Sequence, residues 1–276
     1  MFFYILGILI FLIIIYLFAI MPKMLNRPNL SMFYDKYYAH RGFHKVEHLA
    51  PENSLAAFRL AINHNFGIEF DVQLSKDGIP VVFHDFNLKR VCGIDKNLNQ
   101  LTFQELRELT LFDSKEKIPH LQEVLDLVNG QVPLIVEIKS KSNDISVCSV
   151  VASHLDNYNG EYCVESFNPL VVLWYKKNRP QIIRGQLSTN YFKGEIKQSK
   201  IFSFFLQNLL FNFITKPHFI SYNYKYNENL SFVLCKKLYK ITTIAYTIPS
   251  KMALDNCFKS FDLFIFENFI PDYPLN

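Results

Sequence analysis

The 276-residue chain lacks the features that mark several large function classes. Its five cysteines, Cys92, Cys148, Cys163, Cys235 and Cys257, are odd in number, scattered, and never spaced C-x-x-C. A disulfide framework or cysteine zinc site is thereby excluded, and buried thiols in a reducing compartment are expected. No block of five like charges occurs and the net charge is only +4, so no nucleic-acid partner is expected. No Gly-rich loop follows the first strand-like run, which argues against a dinucleotide site. Internal repeats and low-complexity tracts are absent too. The N-terminus lacks charge: residues 2–21, FFYILGILIFLIIIYLFAIM, carry none.

As a helix rising 1.5 Å per residue, that run spans about 30 Å, the thickness of the hydrocarbon layer. It has no basic leader and no small-x-small cleavage site, unlike a signal peptide. It is apolar all round, unlike most core helices. The expectation is a transmembrane anchor at 1–21, a linker at 22–35 and one domain at 36–276. The flanking cations Lys23, Arg27 and Lys36 all follow the span. The positive-inside rule then places the domain of this single-pass membrane protein in the cytoplasm.

Past the linker, short apolar runs alternate with helix-like stretches. The runs are 37–40, 66–74, 79–84, 132–139, 162–167, 181–185, 218–223, 241–247 and 262–266. Ser54 is placed to cap a helix over 54–65, and Thr102 with Glu105 forms a capping box for 102–109. Pro119 and Gly130 bracket another helix, and 144–156, 168–178, 198–214 and 228–239 read as further helices. Strands alternating with helices imply parallel pairing through right-handed crossovers. About eight such units in about 250 residues predict an α/β fold, a TIM-type (β/α)8 barrel behind one N-terminal transmembrane helix, with an open doubly wound sheet as the competitor.

Strand parity locates the chemistry. In GIEFDVQL, Ile68, Phe70 and Val72 face one way and Glu69 and Asp71 the other. In LIVEIKS, Glu137 and Lys139 share the inner face. Several buried carboxylates need neutralising, either by a hard divalent cation such as Mg²⁺ or Ca²⁺ or by an ion-pair network with Arg41 and Lys139. His40 and His84 each end a strand-like run and suit proton transfer. Arg41 and Lys139 suit a phosphate. Together these residues point to phosphodiester chemistry.

The stretch AHRGFHKVEHLAPENSLAAF…GIEFDVQLSKDGIPVVFHDFNLKR resembles the opening signature of the glycerophosphodiester phosphodiesterases. The matching elements are His40-Arg41-Gly42, Pro51-Glu52-Asn53-Ser54, Glu69-x-Asp71, Lys76-Asp77-Gly78 and His84-Asp85. IPHLQEVL (118–125), VEIK (136–139) and VESFNP (164–169) continue the resemblance, which covers residues 37–170. It implies a TIM-type barrel that hydrolyses glycerophosphodiesters with a divalent metal. By position, Glu69, Asp71 and Glu137 would bind metal, His40 and His84 would form the acid–base pair, and Arg41 and Lys139 would hold phosphate. The implied mechanism has the substrate's glycerol hydroxyl attack phosphorus, through a cyclic phosphate.

Other residues have plainer readings. Glu52 and Asn53 fix the loop after the first strand, and Asp85 orients His84 or caps a turn. His44, His48 and His64 read as surface residues, with His44 and His48 candidates for the site mouth. Phe167, Trp174 and Tyr246 read as core. Beyond residue 170 the resemblance thins: Tyr246 stands in the region of a family Trp, and Glu267 where an Asp is expected. The uncharged stretch between Lys200 and Lys216 is too short to span a bilayer. Residues 201–214 are either a buried barrel helix or a segment lying in the membrane interface. The expected substrates are glycerophosphodiesters or lysophospholipid-like diesters. The competing readings are a phospholipase D-type lipid phosphodiesterase and a tethered, non-catalytic binding protein.

Overall fold

The computed structural model of the protein describes residues 1–44, 50–141, 143–193 and 199–272; His48 lies outside them. Helix α1 (Phe2–Ile20) leads through α2 (Ser31–Tyr34) into β1 (Tyr37–His40), α3 (Leu55–Asn63) and β2 (Gly67–Leu74). After β3 (Pro80–Val82) come α4 (Lys89–Cys92), α5 (Phe103–Glu108) and α6 (Leu121–Val128). Strand β4 (Leu134–Ile138), α7 (Ser146–Leu155), β5 (Tyr162–Ser166), α8 (Pro169–Asn178) and β6 (Arg184–Ser188) follow. The chain continues through α9 (Lys200–Gln207), α10 (Asn212–Thr215), β7 (Phe219–Asn223) and α11 (Leu230–Lys237). It ends with β8 (Thr242–Ile248), α12 (Lys251–Cys257) and β9 (Leu263–Phe266).

Among the described residues, eight strands close a ring of parallel pairs in the order β1-β2-β4-β5-β6-β7-β8-β9, and β9 returns to β1. This is the TIM-type barrel. The register sets Asp71 beside Glu137 and Glu137 beside Glu165, while His40 lies beside Glu69. Outward residues of these strands, Ile68, Phe70, Val72, Val136 and Ile138, pack in the layer beneath the helices. Inward residues Tyr38, Ile135, Phe219, Ile244 and Ile265 fill the N-terminal half of the barrel. Gly185 admits the Phe219 ring: a Cβ there would lie 2.1 Å from it.

Three expectations need correction. The run 79–84 contributes no barrel strand, because β3 turns back antiparallel on β2 outside the ring. Residues 83–118 then build a lobe with its own core, including Phe83, Leu88, Leu98 and Leu106. The run 181–185 is displaced to Arg184–Ser188. The helix over 198–214 is two helices, broken where Leu209 takes φ of 56°. The stretch at 22–35 also does more than connect, since Leu30 and Phe33 are buried under the barrel floor and Tyr38 Oη donates to the Phe33 carbonyl at 3.1 Å. The Ser54 and Thr102 caps form, accepting from Ala57 N and Glu105 N.

Among the described residues, α1 is the one helix long and apolar enough to cross a membrane. Its last turn docks on the barrel. Asn212 and Cys235 donate to the Ile20 carbonyl, and Tyr239 donates to that of Leu17.

Candidate active site

The site forms at the C-terminal ends of β1, β2, β4, β5 and β9, where barrel strands present inward side chains to the loops. Oxygens of Glu69, Asp71 and Glu137 lie within 4.8 Å of one another, and all three side chains are buried. Period-2 geometry explains this: adjacent parallel strands deliver their inner-face acids at one level.

Lys139 Nζ sits 2.8 Å from Glu137 Oε1 and 3.0 Å from Asp71 Oδ1. Arg41, at φ of 55°, donates its backbone N–H to Glu69 Oε2 at 3.0 Å. Its guanidinium reaches Glu52 at 2.8 Å and approaches Asp71 at 3.5 Å. Asn53 donates to Asp71 Oδ2 at 2.9 Å. Arg41 and Lys139 thus bring two positive charges to one carboxylate.

The charges remain unbalanced. Burial first, then the charges of Asp71, Glu137 and Glu165, push Glu69 well above the ordinary carboxylate range. Burial also raises Glu137, with Lys139 opposing. Asp71 is held well below its ordinary value: burial would raise it, but Lys139, His84 and Arg41 prevail. A cage of hard oxygen donors that resists full ionisation is what a divalent cation would relieve. The donor set therefore fits a divalent metal.

Each histidine is backed by a carboxylate. His40 Nδ1 donates to Glu267 Oε2 at 2.8 Å, leaving Nε2 4.0 Å from Glu69. Burial lowers the His40 pKa, with the Glu267 bond opposing. His84 Nδ1 donates to Asp85 Oδ1 at 2.6 Å, the orienting role expected of Asp85. His84 arrives on the lobe rather than on a barrel strand. The Gln73 amide bridges lobe and barrel, donating to the carbonyls of Phe83, His84 and Asp85 at 2.8–3.0 Å. Arg90 clamps the rim by bonding both Asp85 and Glu52, and together with Arg41 it draws Glu52 down to about 2 against the effect of burial.

The structure brings together all seven residues singled out by parity and resemblance. Sequence reasoning passed over Gln73, Arg90 and Glu165. Glu165 shares the inner face of β5 with Cys163, so strand parity alone could have found it. It accepts from Ser221, and burial pushes it up to about 8, with the Ser221 bond opposing. Glu267, noted only as an acid in place of an Asp, orients His40. His44 is half-buried with ligand-capable atoms near His40 and Glu267, whereas His64 is a surface residue. Phe167, expected in the core, lines a cavity and meets Tyr246 edge-on.

Residues 40–258 match the glycerophosphoryl diester phosphodiesterase family. A glycerophosphodiester phosphodiesterase of Caldanaerobacter subterraneus is 34% identical over 161 residues, which cover 54% of this chain and 65% of that protein. A mouse protein named lysophospholipase D is 31% identical over 137 residues, 45% of this chain and 40% of its own length. The chain thus spans between two fifths and two thirds of these two relatives. Among solved structures, an Oleispira antarctica phosphodiesterase, in complex with the product sn-glycerol-3-phosphate, superposes with a TM-score of 0.68. That match has 23% identity and covers 84% of this chain and 92% of the other, a likeness of fold. With the family match running through most of the barrel, the chain belongs to the glycerophosphoryl diester phosphodiesterase family.

Proposed function

We propose that the protein hydrolyses glycerophosphodiesters to an alcohol and a glycerol phosphate, with Glu69, Asp71 and Glu137 holding a divalent cation, Mg²⁺ or Ca²⁺. One observation carries the reading: two carboxylate-backed imidazoles flank three converging buried carboxylates and two cations. When bound, the metal supplies positive charge that stabilises charge developing on the phosphoryl oxygens. Arg41 and Lys139 bind the phosphate oxygens that carry that charge. One imidazole takes the proton from the glycerol hydroxyl as its oxygen attacks phosphorus. The other gives a proton to the alcohol as its P–O bond breaks. The resulting cyclic phosphate opens by addition of water with the two roles reversed. Asp85 and Glu267 fix the tautomers that these transfers need.

The mouse relative's name supports lysophospholipid-like diesters as a second substrate class, since they share the glycerol phosphate core. Helix α1 is the membrane anchor in this reading, with the barrel in the cytoplasm by the charge bias of Lys23, Arg27 and Lys36.

The test is hydrolysis of sn-glycero-3-phosphocholine by purified protein, with and without chelator. Chelation is expected to abolish turnover, and His40→Ala and Glu69→Ala to lower it by about 10²–10⁴-fold. Chelator-resistant turnover, or wild-type rates in both variants, would sink the mechanism.

A further inference from the structure

The phosphodiester chemistry leaves an apolar cavity and an apolar helix without a role. The cavity holds about 430 Å³ and lies under α9 and α10, walled by Phe167, Leu173, Phe202, Leu206, Phe211 and Ile214. That volume falls in the range of about 300–1,000 Å³ typical of small-ligand sites. Ser140, the residue after Lys139, lines it and also lines the polar cleft that contains Lys139 and Gln73. The apolar cavity and the phosphate-facing cleft therefore share a wall.

Helix α9 turns apolar side chains both to the cavity and outward, with Lys200, Ser203 and Gln207 as its polar positions. Phe202 and Leu206 line the cavity, while Ile201, Phe204 and Phe205 are 75%, 50% and 39% exposed on the outside. An exposed apolar helix face of this kind calls for a non-aqueous neighbour.

The placement of α1 identifies that neighbour. Tyr16 bonds Ser231 and the Ile20 carbonyl meets Cys235, so α1 runs parallel to α11. Helix α11 descends from the C-terminal end of β7 to the start of β8. The free part of α1, residues 2–15, therefore projects beyond the C-terminal face of the barrel, the face with the catalytic mouth. At 1.5 Å per residue this free part covers about 21 Å, short of the roughly 30 Å hydrocarbon layer. The docked turn, and the barrel edge beside it, must lie within the leaflet for α1 to span. That edge is α10, where Phe213 meets Phe18 at 5.7 Å, and it continues into α9. Leu230 and Met252, exposed at the starts of α11 and α12, lie on the same face.

We infer that the cavity beneath α9 receives the hydrocarbon chain of a single-chain phosphodiester lipid, taken directly from the leaflet that α1 enters. The inference rests on the phosphodiesterase reading for its chemistry. The diester lies at Lys139 and the tail passes Ser140 and Phe167 into the cavity.

The experiment uses the full chain in dioleoylphosphatidylcholine nanodiscs. Turnover of sn-glycero-3-phosphocholine is compared with that of lysophosphatidylcholines of increasing chain length. The longer chains are expected to raise kcat/KM by more than about tenfold. Leu173→Trp and Ile214→Trp, which fill the cavity, should remove that gain and leave sn-glycero-3-phosphocholine turnover unchanged. Rates indifferent to chain length, or variants that lower both substrates equally, would overturn the inference. Binding of a fluorescent lysophosphatidylcholine to the His40→Ala chain separates the two readings. If neither substrate turns over, loss of that binding in His40→Ala/Leu173→Trp still supports the tail site, and retained binding refutes it.

Discussion

The hydrogen bond from His40 to Glu267 joins residues 227 positions apart. Glu267 favours the protonated imidazole, while burial favours the neutral one. Replacing Glu267 by Gln removes the charge but keeps the shape. The His40 limb of the pH–rate profile should then move to lower pH, and kcat/KM should fall by about 10–100-fold. A profile superimposable on wild type would show that Glu267 does not tune His40. Glu69, Asp71, Glu137 and Lys139 were legible because strand parity puts them on one face whatever the rest of the chain does. Glu267 was not legible as a partner of His40, because only the β1–β9 closure brings the two together. Gln73 was hidden for a similar reason: its bonds run to a lobe whose path depends on β3.

At the scale of elements, the misread strands have definite causes. Residues 75–79 are too few for a parallel crossover, which takes about a dozen residues or more, so β3 had to pair antiparallel with β2. Strand β6 escaped because its outward residues are polar. Arg184 donates to the Lys216 carbonyl, Gln186 to that of Ser166 and Ser188 to that of Leu206, at 2.9–3.0 Å. These bonds offset part of the cost of burial, although Arg184 Nε and Gln186 Oε1 find no partner among the described residues, and the polar side chains erase the hydropathy signal. The inner side of β6 is Gly185 and Leu187, and the Phe219 ring needs the space at Gly185. Gly185→Ala should overpack the barrel and cost about 1–3 kcal/mol, read as a lower urea midpoint at unchanged m. An unchanged midpoint would mean the ring moves aside freely.

For the whole molecule, the carboxylate cage links metal, pH and stability. Glu69 and Glu137 are raised in the folded chain, so without metal their contribution is complete below their unfolded values. It is lost as pH rises through the folded values. Added Mg²⁺ or Ca²⁺ should therefore raise Tm more at pH 8 than at pH 5, where protons already neutralise part of the cage. A cation gain independent of pH would separate those carboxylates from the metal. The eightfold alternation of strand and helix was legible along the chain, but the lobe that carries His84 was not. The lobe is cored apart from the barrel, by Val81, Phe83, Leu88 and their neighbours, whereas His40 stands on the barrel wall. The two imidazoles therefore stand on separately cored units, and the spacing between them depends on the three bonds by which the Gln73 amide ties the lobe to the barrel.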